Sequence, residues 1–203
     1  MDDPTRQLLQ NTLLYVLLPV WMAAGFGDWL CHRMLKMERT AGLKEALLHL
    51  LMLAELGPCL LLALLAEVNA LVLSLLALGS LLHELTLWSD LLYAIRRRAI
   101  PVVEQWLHSF QIAAPWVALA ALALLHWEQA LAIVGLGSEP ADWSLAWKRE
   151  PLPAATLSVL LLAGTLLVVL PFLEEAFRCA RDPHGEPVGF GAATGTVEEQ
   201  RQH

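Results

Sequence analysis

This chain lacks most of what a soluble enzyme or a nucleic-acid binder would carry. Its three cysteines, Cys31, Cys59 and Cys179, stand alone without a CxxC pair. That spacing argues against a disulfide scaffold and against a thiolate zinc or iron–sulfur site. Charged residues make up only 16% of the sequence, and no basic stretch with interleaved aromatics occurs among them. No nucleic-acid partner is therefore expected. No glycine-rich phosphate loop is present, so no nucleotide or flavin site is expected either. The first residues, Met1-Asp2-Asp3-Pro4, are acidic where a secretory leader is basic. Ala23-Ala24-Gly25 only faintly resembles a cleavage site, and cutting there would discard an apolar segment.

Apolar residues are what the chain has in excess. They make up 57% of it, with a mean hydropathy of +0.55, beyond the range of an ordinary soluble domain. Five apolar segments, at roughly 8–35, 43–66, 70–95, 101–126 and 153–177, reach the length of about 20 residues that a bilayer requires. The expected fold is all-α: an integral membrane helical bundle of five transmembrane helices over residues 1–181. A disordered cytoplasmic tail is expected over 182–203, where Gly, Pro, Glu and Gln dominate.

The net charge of -7 is uninformative about partners, because the signs are segregated along the chain. Ten of the 13 basic residues fall on one side of the expected topology. They are Arg33, Lys36, Arg39, Lys44, Arg96, Arg97, Arg98, Arg178, Arg181 and Arg201, against Arg6, Lys148 and Arg149 opposite. By the positive-inside rule the N terminus lies outside and the C terminus in the cytoplasm, as in a bacterial inner membrane. Trp29, Trp88 and Trp106 fall near the inner boundary, and Trp127, Trp143 and Trp147 near the outer one, as interfacial belts do. Trp143 and Trp147, four apart, are expected on a short amphipathic helix in the interface.

The remaining polar residues form a pattern. Asp28 precedes His32 by four, Glu45 precedes His49 by four, and Glu104 precedes His108 by four. A further segment holds His83, Glu84 and, seven after His83, Asp90. Spacings of four and seven place two side chains on one helix face. Ionisable groups inside a membrane are costly and by default mark function. The topology also gives these groups a common depth. Asp28 and His32 lie just before the first inner loop and Glu45 and His49 just after it, while Asp90 and then Glu104 and His108 flank the third. Four helices that break the apolar rule with the same residue types at one level suggest a shared metal site. Its candidate ligands are Asp28, His32, Glu45, His49, His83, Asp90, Glu104 and His108, on the first four helices. Imidazole and carboxylate together suit iron, manganese or zinc.

This array resembles the ferritin-like di-iron carboxylate enzymes, in which each helix of a four-helix bundle projects one or two such ligands. It also resembles the histidine-rich membrane hydroxylases and desaturases. The likeness is architectural and covers about residues 20–115. The spacing departs from both patterns, being one longer than Glu-x-x-His and containing no HxxxH or HxxHH box. The run Gly27-Asp28-Trp29 with His32-Arg33 is similar to a bacterial family of small membrane proteins. What the likeness to the di-iron carboxylate enzymes and membrane hydroxylases implies is a dinuclear centre, with two Fe ions in first place and Zn or Mn as alternatives; the bacterial family implies no activity. Such a centre would oxidise a lipid or other hydrophobic molecule with O2. Electrons would come from a quinol or a partner membrane subunit.

Other readings stand beside this one. A buried carboxylate–imidazole network can join helices without any metal. The histidines could ligate haem, although haem does not require a carboxylate four residues from each. Zinc would point to a lipid hydrolase, and a metal carrier or accessory subunit is the non-catalytic alternative. Cys31 is more simply apolar filler than a thiol near a metal. Glu55 faces away from His49 and is expected to pair with His83 or with a lipid-side water defect, and Glu84 ranks below His83 and Asp90 as a ligand. Glu174 and Glu175 are expected at an exposed interface, with the fifth helix a buttress. The Arg96–Arg98 run is read first as a topology signal and second as a clamp for an anionic headgroup. Pro58 and Pro115 are expected to kink their helices, and Gly25 and Gly27 to permit close packing.

Overall fold

A chain segment in hydrocarbon must satisfy its backbone internally, and an apolar run of about 20 residues can do so only as a helix. In the computed structural model, which describes residues 2–182, every apolar segment is helical. The expected disordered tail falls, from residue 183 on, outside the described residues. The helices are α1 (Asp3–Met34), α2 (Gly42–Leu65), α3 (Ala70–Ala94), α4 (Val102–Leu125), α5 (Trp127–Ile133) and α6 (Ala154–Arg181). All except the short α5 are long and apolar enough to cross a membrane. The protein is an all-α integral membrane bundle.

The prolines of α1 and α6 shape them in the same way. Pro19 and Pro171 each follow a π-helical turn, at Leu13–Leu17 and Thr165–Val169. A proline ring crowds the carbonyl four residues back, here that of Tyr15 or Leu167, and a widened turn at that point relieves the crowding. α2 and α4 remain continuous through Pro58 and Pro115.

The long helices close a ring. α1 packs on α4, α4 on α3, α3 on α2, α2 on α6, and α6 returns to α1. α1 and α2 are consecutive in sequence but not ring neighbours, so the space between them is interior. Gly79 of α3 lets α2 approach closely, since a Cβ there would stand 2.3 Å from Cys59 Sγ and 3.3 Å from the Glu55 carbonyl oxygen. Gly27 sits against Leu107 of α4, and Gly25 against Val168 and Phe172 of α6.

At one end of the ring the chain reverses between α1 and α2. Lys36 adopts a left-handed conformation (φ 54°) and a 3-10 turn, Met37–Arg39, follows. Met37 is fully buried against Ala41, Ala46 and Cys179, and the Tyr93 hydroxyl donates to the Ala41 carbonyl at 2.9 Å. At the other end, the α2–α3 turn is held by the loop after α5. The Glu67 amide donates to the Ala146 carbonyl and the Lys148 amide to the Leu65 carbonyl, both at 2.9 Å. Asn69 caps α3 by accepting from the Val72 amide, and its own amide donates to the Ser144 carbonyl at 2.7 Å. This corrects the expected helix at Trp143 and Trp147. The backbone groups freed between α2 and α3 need partners, and they take the stretch around residues 142–148 as an extended segment bridged from Ala66 to Trp147. Trp127, Trp143 and Trp147 at this end, and Trp88 and Trp106 at the other, are all exposed.

Candidate metal centre

Seven of the eight expected ligands meet inside the ring at the Lys36 end. Helical spacing points Asp28 and His32 of α1, Glu45 and His49 of α2, Asp90 of α3, and Glu104 and His108 of α4 at one another. All seven are buried, His32, Glu45 and Glu104 completely. Their ligating atoms form three overlapping groups, within each of which all atoms lie inside 4.8 Å. One joins Asp28, His32, Glu104 and His108. Another joins Glu45, His49 and Asp90. The third joins His32, His49 and Glu175.

Glu175 corrects two expectations at once. It is fully buried, not at an exposed interface, and it brings α6 into a site expected from the first four helices alone. Its neighbour Glu174 does face outward, where it accepts from the Trp29 indole at 3.0 Å and from Arg33 at 2.6 Å. Sequence reasoning missed Glu175 because no histidine accompanies it at helical spacing. The available signal was two adjacent glutamates near the end of an otherwise apolar helix, where only one of them can face lipid headgroups.

The geometry around Glu175 fixes the histidines. The His32 and His49 rings stack, with centroids 4.8 Å apart and planes 6° from parallel. The Nδ1 of His32 lies 3.0 Å from one Glu175 oxygen, and that of His49 lies 2.6 Å from the other. An ionised carboxylate only accepts, so both Nδ1 atoms carry protons. Both Nε2 atoms then face the remaining carboxylates. His32 Nε2 stands 3.2 Å from Glu104, 3.5 Å from Asp28 and 3.9 Å from Glu45. His49 Nε2 stands 3.5 Å from Asp90. In a neutral imidazole that nitrogen presents a lone pair, which repels a carboxylate oxygen unless a cation lies between them. Ligand atoms held about 2.1 Å from one ion stand ~3.0–3.4 Å from each other, close to the distances here. His108 Nε2 is likewise 3.0 Å from Asp28 Oδ1, yet that oxygen has no hydrogen-bond partner.

Arg98 was also missed in this role. The Arg96–Arg98 run is not a headgroup clamp at its third member, because Arg98 turns inward and its side chain is only 4% exposed. Its guanidinium joins Glu45 to Glu104. It donates from Nε to Glu45 at 3.1 Å, from Nη1 to Glu104 at 2.9 Å, and from Nη2 to both. Arg97 instead lies over the Tyr93 ring at 5.0 Å.

His83 does not converge with the rest. It lies seven residues from Asp90 on α3, which is about 10 Å along the axis at ~1.5 Å per residue. The shared helix face that suggested a ligand therefore places it too far along the bundle. It is 5% exposed, and neither ring nitrogen has a hydrogen-bond partner. Glu55, for which His83 is one of two expected partners, accepts from the Thr86 hydroxyl at 2.7 Å. Glu84 accepts from the Trp116 indole at 3.2 Å. Cys31 joins none of the ligand groups.

The whole arrangement can hold metal ions. Five carboxylates against one guanidinium leave a formal charge of −4 with neutral imidazoles, a charge that favours a bound cation. No protein-family model, curated protein or solved structure matches the chain.

Proposed function

We propose that this chain is a membrane metalloenzyme whose buried cluster would hold two metal ions. The observation that carries the reading is that Glu175 holds the Nδ1 atoms of both His32 and His49, which turns the two Nε2 atoms toward Asp28, Glu104, Glu45 and Asp90. A carboxylate behind a histidine is the usual support of a metal-ligating imidazole. One ion would take Asp28, His32, Glu104 and His108, and the other Glu45, His49 and Asp90. An N/O ligand set without thiolate favours iron over a structural zinc site.

Bound in this lipid-enclosed site, two irons would supply O2 activation. The net reaction is R–H + O2 + 2 electrons + 2 protons giving R–OH + H2O. The substrate is a lipid or other hydrophobic molecule. The electrons come from a quinol or a partner membrane subunit, since no nucleotide or flavin motif is present in the sequence. The excess of Lys and Arg at the cluster's end of the bundle supports a cytoplasmic placement of that end in a bacterial inner membrane, with the N terminus outside.

Arg98 favours a second reading. It already bridges Glu45 and Glu104, and protonated histidines could balance the other carboxylates in a purely structural network. Metal content per chain of protein purified in mild detergent, with an optical spectrum of the same sample, separates the two. About two irons and no Soret band support the oxidase. Zinc redirects the assignment to a lipid hydrolase, and a Soret band to a cytochrome. A folded, metal-supplied sample without metal leaves the structural network.

A further inference from the structure

An apolar cavity of about 550 Å³ lies inside the ring, directly beside the cluster. At its inner end it is lined by Asp28, His49, His83 and Gln111. At its far end it is lined by Leu18, Leu64 and Leu160, which pack together. Between His49 and Leu64 the cavity follows fifteen residues of α2, about 22 Å at ~1.5 Å per residue. Such a volume lies within the range of small-molecule sites, and the length fits an extended chain better than a compact ring system.

The cavity has a side opening. Pro58 and Leu61 of α2, and Leu161 and Thr165 of α6, line it while also being exposed on the outer face of the bundle. Small residues flank this mouth. An added Cβ at Gly57 would meet nothing within 4 Å, and one at Gly164 only Met22 at 3.8 Å. The mouth opens on the apolar flank of the helices, so what enters comes from the lipid.

The inner end supplies unmet hydrogen bonding. Both His83 ring nitrogens and Gln111 Nε2 are buried without partners, a costly arrangement for an apolar core. Gln111 Nε2 can only donate, and one imidazole nitrogen donates. Two donors call for an acceptor oxygen, and the cavity lining includes no Lys or Arg to pair with an anionic one.

We propose that this cavity binds one uncharged, single-chain lipid bearing a terminal oxygen, a long-chain alcohol or aldehyde. Its chain lies along α2 and its oxygen is held by His83 and Gln111 next to the metal cluster. The proposal names the substrate class of the oxidase and rests on that reading for its catalytic meaning, while the binding itself does not require metal.

The test is saturation binding of radiolabelled hexadecanol to the full chain in phosphatidylcholine nanodiscs, with hexadecane and hexadecanoate as comparisons. One saturable hexadecanol site per chain is expected, tighter than for either comparison. His83→Leu should weaken hexadecanol about tenfold, the loss of one hydrogen bond. It should leave hexadecane unchanged, and His83→Gln should restore most of the loss. Gly57→Phe should abolish binding of all three. Equal affinity of the unaltered protein for hexadecanol and hexadecane overturns the proposal even if His83→Leu fails to fold. So does an unchanged hexadecanol affinity in a folded His83→Leu protein. Metal content of the same samples keeps the two readings apart: selective binding by metal-free protein sinks only the oxidase, and a metal-loaded protein without binding sinks only the lipid site.

Discussion

The two stacked histidines at the centre of the ring both lean on one carboxylate, and the chemistry of the cluster turns on that residue. Glu175 offers an oxygen to each Nδ1, at 3.0 Å and 2.6 Å. Glutamine has one acceptor oxygen and a donor amide, so Glu175→Gln must leave one imidazole without its partner and free to adopt the wrong tautomer. Metal affinity should fall 10–100-fold with the fold retained, measured by competition with a chelator of known affinity. The adjacent Glu174→Gln should leave metal binding untouched, because Glu174 faces Arg33 and Trp29. Arg98 is the second decisive side chain. Its replacement by Met leaves Glu45 and Glu104 uncompensated in a fully buried setting. Breaking a buried ion pair from one side costs about 3–5 kcal/mol, which should show as a lower unfolding midpoint of metal-free protein. Arg98→Lys should recover only part of this, since an ammonium cannot reproduce the two-sided fork.

Among the elements, the α2–α3 pair depends on a single missing side chain. Gly79 stands where a methyl group would strike Cys59 Sγ. Gly79→Ala should therefore destabilise the bundle by roughly 1–3 kcal/mol, despite the better helix propensity of alanine. Cys59→Ala in the same chain should relieve most of the loss, because the Cys59 Cβ lies a comfortable 3.7 Å from the added atom. Thermal unfolding of the two single variants and the double variant in detergent checks the coupling; strictly additive effects would remove this account of the contact. α6 shows the complementary case. It carries no histidine, and yet by packing on both α1 and α2 it closes the ring and delivers Glu175 to the centre.

For the whole molecule, five helices converge on one charged cluster, so any cation it holds ties the ends of all five together. A ligand that binds only the folded state stabilises it by about 2.7 kcal/mol at a hundredfold excess over its dissociation constant. Chelator-stripped protein should unfold at a lower temperature and regain its midpoint when the metal removed is added back. The paired substitution Glu45→Gln with Asp90→Asn, which removes two carboxylates of one group, should shrink that gain. An unchanged midpoint with and without metal, in protein that demonstrably binds it, would show that the cation does not brace the ring.

Much of this was legible in the sequence, for reasons specific to a membrane chain. An apolar run of bilayer length leaves the backbone one choice, so the five long helices follow from composition alone. The spacing of four in Asp28/His32, Glu45/His49 and Glu104/His108 fixes their common faces, and the rarity of charge in such helices marks them out. The remainder required the tertiary structure. Period and depth place a residue along and around its own helix, but they do not say which helices are neighbours. The ring order puts α6 between α1 and α2, which makes Glu175 central and leaves the interior cavity open. His83 shares a face with Asp90, and only its height on α3 in the assembled bundle separates it from the cluster. Arg98 belongs to a loop run whose charge is ambiguous in sequence; the loop's path turns that one guanidinium inward between Glu45 and Glu104. Local periodicity determined which residues face the interior, and packing between helices decided which of them meet.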